Sequence, residues 1–279
     1  MIEQLRLTVL ADNHVAHPDS LAEHGLSILI EAGERRILFD TGQGKVLRHN
    51  LASLGISLGL LDAIVLSHGH YDHSGGLSAA LEESSPRAIF LHPAATAPKF
   101  ARRDPPPHRF IGMPAASREA LLALQDRVVW TSAATEIVPG IWSTGEIPRS
   151  EQGGASKQPF FFNEDGSTPD PLLDDQALFF EMAQGLVIVA GCAHAGVANT
   201  VEHVCGLAGR KDVHALIGGL HLGRALPEEL EEVGGTLSRR GCRILAPCHC
   251  TGMNAHAYFR THFNSLVREM GAGSTLAID

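Results

Sequence analysis

One stretch constrains this chain more than any other: Ser67-His68-Gly69-His70-Tyr71-Asp72-His73-Ser74-Gly75-Gly76-Leu77. Three histidines and an aspartate fall within six residues. Just before them, Leu60-Leu61-Asp62-Ala63-Ile64-Val65-Leu66 is a short apolar run with β-branched residues, which predicts a buried strand feeding a polar turn. Imidazole nitrogens and a carboxylate are the donors that zinc and similar divalent metals prefer, and the glycines let the backbone fold tightly enough for several to converge. A solvated polar turn is the plainer alternative, but histidine is an infrequent residue and such a cluster points to a metal.

A chain of 279 residues with 44% hydrophobic and 19% charged residues has ample sequence to bury a core, and it is read as a single domain over 1-279. Its formal net charge of -9 argues against a nucleic-acid backbone as the main partner, while a local basic pocket could still hold a phosphate. No apolar run approaches the ~18 residues of a membrane span, and the N-terminus lacks a basic segment followed by an apolar core. The expectation is a cytoplasmic protein with no membrane partner. Five cysteines, an odd number crowded into the last third, suit reduced thiols better than a disulfide framework. Cys248-His249-Cys250 is no zinc finger, since no second pair stands at ligand spacing.

Strands are expected over 2-10, Leu26 to Glu31 and Arg36 to Phe39, with a polar loop from Asp12 to Gly25 between the first two. Gly42-Gln43-Gly44-Lys45 does not meet phosphate-loop spacing, and Val46 stands where a hydroxyl is needed. Helical spacing covers Lys45 to Leu54 and Gly76 to Glu82, and a strand covers Ala88 to Leu91. From Pro93 to Pro114 the chain is rich in proline and arginine, and from Ser150 to Pro171 it is rich in glycine and acidic residues; both are read as surface excursions or lids, the second flexible. His92 and His108, isolated from the cluster, are read as non-ligands.

Downstream, one arrangement recurs three times. Apolar strands at Leu186 to Val189, Val213 to Ile217 and Cys242 to Leu245 end in Cys192-Ala193-His194, Gly218-Gly219-Leu220-His221 and Pro247-Cys248-His249. Helical patterns follow at Val197 to Leu207, Pro227 to Arg239 and Asn254 to Val267. Each strand thus delivers a histidine to the same edge, as in a layered α/β domain with its site along that edge.

The run H-x-H-x-D-H followed by Ser-Gly-Gly-Leu resembles the signature of the metallo-β-lactamase-fold superfamily, which implies a four-layer αββα sandwich. By that resemblance His68, His70 and His194 hold one metal, Asp72, His73 and His249 hold another, and Asp40 orients the metal loop through hydrogen bonds. Many members bridge the metals with an aspartate; here the corresponding strand ends in Gly218-Gly219-Leu220-His221, so His221 is either a ligand or a substrate contact. Further motifs, including Thr144-Gly145-Glu146-Ile147-Pro148-Arg149, Asp174-Asp175-Gln176 and Cys248-His249-Cys250-Thr251-Gly252, resemble the branch named for 7,8-dihydropterin-6-yl-methyl-4-(β-D-ribofuranosyl)aminobenzene 5′-phosphate synthase.

The resemblance implies an enzyme with one or two divalent ions, zinc first and Mn2+ or Fe2+ as alternatives, acting on a phosphorylated or diphosphorylated small molecule. A phosphoester or lactone hydrolase using metal-activated water is the alternative reaction, and a non-enzymatic binding module stapled by metal is the alternative class. Candidate catalytic residues are Asp72, His221, Glu23 and His24; candidate substrate contacts are Arg149, Glu146 and His221. Oligomeric state is left open.

Overall fold

The computed structural model describes residues 2-150 and 159-279. Residues 151-158, within the stretch expected to be flexible, lie outside the described residues. In chain order the first strands are β1 (Leu5–Ala11), β2 (Ser27–Ala32), β3 (Arg35–Phe39), β4 (Gly59–Val65) and β5 (Ser84–Leu91). They are followed by β6 (Phe100–Ala101), β7 (Arg109–Phe110), β8 (Val128–Trp130), β9 (Thr135–Val138), β10 (Ile141–Ser143) and β11 (Phe160–Phe161). The remainder are β12 (Ala177–Met182), β13 (Gly185–Ala190), β14 (Val213–Gly219), β15 (Ile244–Cys248) and β16 (Thr275–Ile278). Among the described residues these form a seven-stranded sheet in the order β16-β1-β2-β3-β4-β5-β8, a six-stranded sheet β15-β14-β13-β12-β10-β9, and a three-stranded sheet β11-β6-β7.

Alternation explains how the two large sheets face each other. In β2, Ile28 and Ile30 point into a core shared with Phe180 of β12 and Val187 and Val189 of β13, while Leu29 points to the other side. That outer side is covered by helices α1 (Leu47–Ser53), α3 (Leu77–Glu83) and α4 (Ala115–Ala123), through Leu47, Leu51, Leu77, Ala80 and Leu121. The outer face of the second sheet is covered by α5 (Val197–Ala208), α6 (Pro227–Arg239) and α7 (Met253–Phe263), through Val201, Val204, Leu230, Val233, Leu237 and Phe259. The result is helix, sheet, sheet, helix. A short helix, α2 (Tyr71–Ser74), carries the central motif itself.

Most expected elements form, with shifted ends. The helix expected over Asn254 to Val267 stops at Phe263, because the chain beyond it returns to the sheet: Leu245 donates to the Leu266 carbonyl and Arg268 donates to that of Leu245. The strand expected at Ala88 starts at Ser84, drawn into the parallel ladder with β4. Among the described residues no helix is long and apolar enough to cross a membrane.

The Pro93 to Pro114 excursion is not a free loop. Its strands β6 and β7 pair with each other, and β6 pairs with β11 from the second excursion, Phe160 opposite Ala101 and Phe161 opposite Phe100. Ile111, Phe160 and Leu172 are buried together against Tyr71 and Ala101. The two excursions meet beside the motif helix.

Candidate metal centre

Five strand ends build the site; the motif follows β4, and the other four leave their sheets through a strained residue. Asp40 after β3, Ala193 after β13, His221 after β14 and His249 after β15 all have positive φ, between 49° and 57°. A side chain in this region costs of order 1–3 kcal/mol and persists only where its surroundings enforce it. The motif loop packs equally closely. A methyl group on Gly69 would collide with the Ala95 carbonyl, and one on Gly191 with the Ser67 hydroxyl, so neither position accepts a side chain without movement.

The histidines meet in two groups. His68 Nε2 lies 2.9 Å from His70 Nδ1, and the His194 ring centroid is 4.9 Å from that of His68 and 5.0 Å from that of His70. His73 Nε2 lies 3.1 Å from His249 Nε2, whose other close neighbour is Asp72 Oδ2 at 3.8 Å. His221 adjoins the first group, its ring centroid 4.3 Å from that of His194. His24, which is exposed, reaches in from the rim to place Nε2 3.0 Å from Asp72 Oδ2.

A shell of hydrogen bonds aims these rings. Buried Asp40 accepts from the Ser67 amide at 2.7 Å and hydroxyl at 2.6 Å, and its Oδ2 lies 2.7 Å from His73 Nδ1, which leaves His73 Nε2 facing the centre. Ser67 Oγ also lies 2.9 Å from His68 Nδ1. Asn13 brackets His249, with Oδ1 3.0 Å from its Nδ1 and Nδ2 donating to its carbonyl, while Asp12 accepts from its amide. Asp175 accepts from the Ala195 amide, next to His194. Buried Lys99 donates to Asp170 at 2.8 Å and to Asp174 at 2.9 Å, and Asp174 in turn accepts from the Gly69 amide of the motif.

The electrostatics follow from burial. Desolvation pushes His68 and His194 well below the ordinary histidine range, His70 down to about 3 and His249 down to about 4, so these imidazoles are neutral, as ligands must be. Burial also acts to lower His73, but the adjacent Asp40 carboxylate outweighs it and raises His73 to about 9. Burial acts to raise Asp72, yet the hydrogen bond from His24 and the neighbouring His73 and His249 hold it well below the carboxylate range.

These residues fit a metal. Both ring nitrogens of His194 and Nε2 of His70 are buried with no hydrogen-bond partner, an arrangement that costs energy unless an ion takes the lone pairs. Ligand atoms of His68, Cys192 and His194 lie within 4.8 Å of one another, as do those of His73, Cys192 and His249, and those of Cys192, His221 and Cys250. Cys192 and Cys250 are residues that sequence reasoning passed over: a cysteine at a strand end reads as a small buried apolar residue, and their convergence joins segments 58 residues apart.

Other expected positions fall differently. Both oxygens of Glu23 are occupied by loop amides, Oε1 by Gln43 at 2.8 Å and Oε2 by Lys45 at 3.1 Å, so it braces the loop beside the site and, of the neighbouring pair, only His24 touches Asp72. Glu146 lies against His92, 3.1 Å from its Nε2. Arg149 donates to the His194 carbonyl at 3.0 Å and the Leu172 carbonyl at 2.9 Å.

A match to the metallo-beta-lactamase superfamily model spans residues 22–198, more than half of the chain. The chain belongs to the metallo-β-lactamase superfamily. Within it, the chain is 30% identical to 7,8-dihydropterin-6-methyl-4-(beta-D-ribofuranosyl)-aminobenzene-5'-phosphate synthase of Methanocaldococcus jannaschii, covering 99% of this chain and 97% of that one. An uncharacterised protein of the same organism is 33% identical over 89% of this chain and 91% of its own. Among solved structures, Tm1679, described as a metal-dependent hydrolase of the β-lactamase superfamily, superposes with a TM-score of 0.82 at 28% identity, covering 99% of both chains. The superfamily match ends before His221 and His249, so the second half of the centre rests on the geometry above.

His92 and His108 separate structure from chemistry in this superfamily member. His92 is buried, capping the turn at Pro93–Thr96 by accepting from the Ala94 amide, whereas His108 stacks on Phe161 at 4.7 Å. His92→Ala is expected to lower stability by ~1 kcal/mol through the lost cap, with metal content unchanged. His108→Ala should leave both near wild type. Thermal unfolding alongside elemental analysis checks this, and loss of metal in either variant contradicts it.

Proposed function

We propose that this chain is a metal-dependent enzyme acting on a phosphorylated or diphosphorylated small molecule, with chemistry like that of the dihydropterin-methyl-aminobenzene ribose phosphate synthase it resembles. The observation that carries the reading is the cover over the histidines. Phe160, on the sheet formed by the two excursions, brings its ring centroid to 5.2 Å from His70 and 5.6 Å from His194. A transferase must exclude water from the centre while its second substrate is bound, and an apolar wall beside the ligands serves that purpose.

His68, His70 and His194 would hold one ion and Asp72, His73 and His249 the other, zinc being the first expectation. A divalent metal held there supplies Lewis-acid stabilisation of charge building on a phosphoryl or leaving oxygen. The chain's own groups complete the site. Although the net charge is -9, the excursions and their flanks carry Arg102, Arg103, Arg109 and Arg149, all exposed, which suits an anionic substrate at the rim. Arg109 donates to the Tyr71 hydroxyl at 2.9 Å, and Arg149 is anchored on the His194 carbonyl, so two of these guanidiniums are tethered to residues of the site. His24 is raised above its ordinary range by its hydrogen bond to Asp72, which places an acid–base group on the open side of the cluster beside a departing or entering oxygen.

The similarity to Tm1679, described as a metal-dependent hydrolase, favours hydrolysis as the second reading, with a phosphoester or a lactone as the substrates to test. A product assay decides between them. Zinc-loaded protein is offered simple phosphate mono- and diesters, a lactone, and a pterin methyl diphosphate with its aminobenzene ribose phosphate partner. The coupled product with release of diphosphate is expected; fast turnover of a simple ester or lactone without coupling overturns the transferase reading.

A further inference from the structure

We propose that the Cys192 thiolate is a metal ligand shared by both halves of the centre, standing where many superfamily members use a carboxylate; the inference rests on the metal-centre reading above. The strand that would supply an aspartate ends here in Gly218-Gly219-Leu220-His221, which leaves the two histidine groups without an acidic bridge from that direction. The gap is filled from the neighbouring strand. Cys192 leaves β13 two residues before His194, is 3% exposed, and places Sγ 3.1 Å from His73 Nε2. Its sulfur belongs at once to the group with His68 and His194 and to the group with His73 and His249. No other described residue joins both groups.

Two further observations converge on this sulfur. The buried nitrogens of His194 lack any hydrogen-bond partner, so their lone pairs and the Cys192 sulfur beside them are donors suited to a common electrophile. Behind it, Cys250 Sγ lies 3.3 Å from Cys192 Sγ and accepts from the His221 amide at 3.2 Å, which fixes the second thiol as a support for the first. On binding, the Cys192 S–H bond breaks, its electron pair becomes the metal–sulfur bond, and the proton leaves to solvent. One consequence is selectivity. A thiolate shared between the ions favours zinc, iron or cobalt over manganese and magnesium, which the histidine and carboxylate set alone would not do.

Cobalt(II) chloride added to the metal-free full-length protein tests this directly. The expected result is an intense near-ultraviolet sulfur-to-cobalt charge-transfer band that is retained in Cys250→Ser and lost in Cys192→Ser. Cys192→Ser should also weaken uptake of the second equivalent by roughly tenfold or more, and Cys192→Asp should restore that uptake without the band. Cobalt binding to the wild type without the band, or a band that follows Cys250 instead, overturns the thiol's role while leaving the metal centre standing. A wild-type protein that takes up no cobalt overturns the metal-centre reading itself. X-ray absorption on the zinc-loaded wild type is independent of any variant's folding: a sulfur shell at about 2.3 Å is expected, and a shell of nitrogen and oxygen only refutes the proposal.

Discussion

His194→Ala is expected to abolish metal retention in the first half of the centre and, with it, all turnover. The side chain is 1% exposed and packed among the rings of His68, His70, His221 and Phe160, so alanine removes a donor from the middle of the group rather than from its edge. Three protein ligands are the usual number for a catalytic zinc, and without His194 the first ion keeps only His68, His70 and a sulfur shared with the second half of the centre, too weak a set to retain it. His68→Ala should behave alike. Metal content of the folded variant, checked by circular dichroism, is the deciding measurement; full metal affinity in His194→Ala would remove this residue from the ligand set.

Lys99→Met is expected to be the most destabilising of the conservative changes, by ~3–5 kcal/mol, because it leaves the buried carboxylates of Asp170 and Asp174 without their cation. Its effect should reach the motif, since Asp174 also holds the Gly69 amide. The pH dependence has a definite sign. Burial acts to raise Asp174, but Lys99 outweighs it and holds the carboxyl below its ordinary value; its contribution is therefore present above the unfolded value and fades as pH falls through the folded one. Burial acts to lower Lys99, but Asp174 and Asp170 outweigh it and raise the ammonium; its contribution is present below the unfolded value and is lost as pH rises through the folded one. Across neutral pH the deficit of the variant should stay constant, then shrink in acid as the orphaned Asp174 carboxylate protonates. Urea unfolding of both proteins at several pH values measures it, and an equal deficit at every pH would show that packing, not charge, is lost.

The parts legible in the sequence are those whose signal is local. The strand before His68, the helix at Pro227–Arg239, and the three strand ends carrying His194, His221 and His249 each announce themselves within a dozen residues by apolar runs, glycine and a polar stop. What escaped is built from distant pieces. Lys99 pairs with carboxylates 71 and 75 residues away, so nothing near it in sequence distinguishes it from a solvated lysine. Strands β6, β7 and β11 are two residues long, too short for any periodicity, and exist because the two excursions find each other in space. Glu23 looked chemical because it precedes His24, yet carboxylates also serve to tie down glycine-rich loops, and only coordinates tell these roles apart.

That small third sheet has a meaning for how such a protein can diverge. Among the described residues its strands join neither large sheet, while the histidines and the aspartate proposed as ligands follow strands of the two large sheets. Wall and floor are therefore inherited on separate segments of the chain. Substitutions at the small sheet's exposed side chains, such as Arg109 and Phe110, can accumulate without touching the strand ends. Lys99 and the Ile111 carbonyl, which hold the motif through Asp174 and the Tyr71 amide, tie the rest of the excursion to the centre. Descendants of one ancestral floor would then be expected to differ in what they accept long before they differ in how they react.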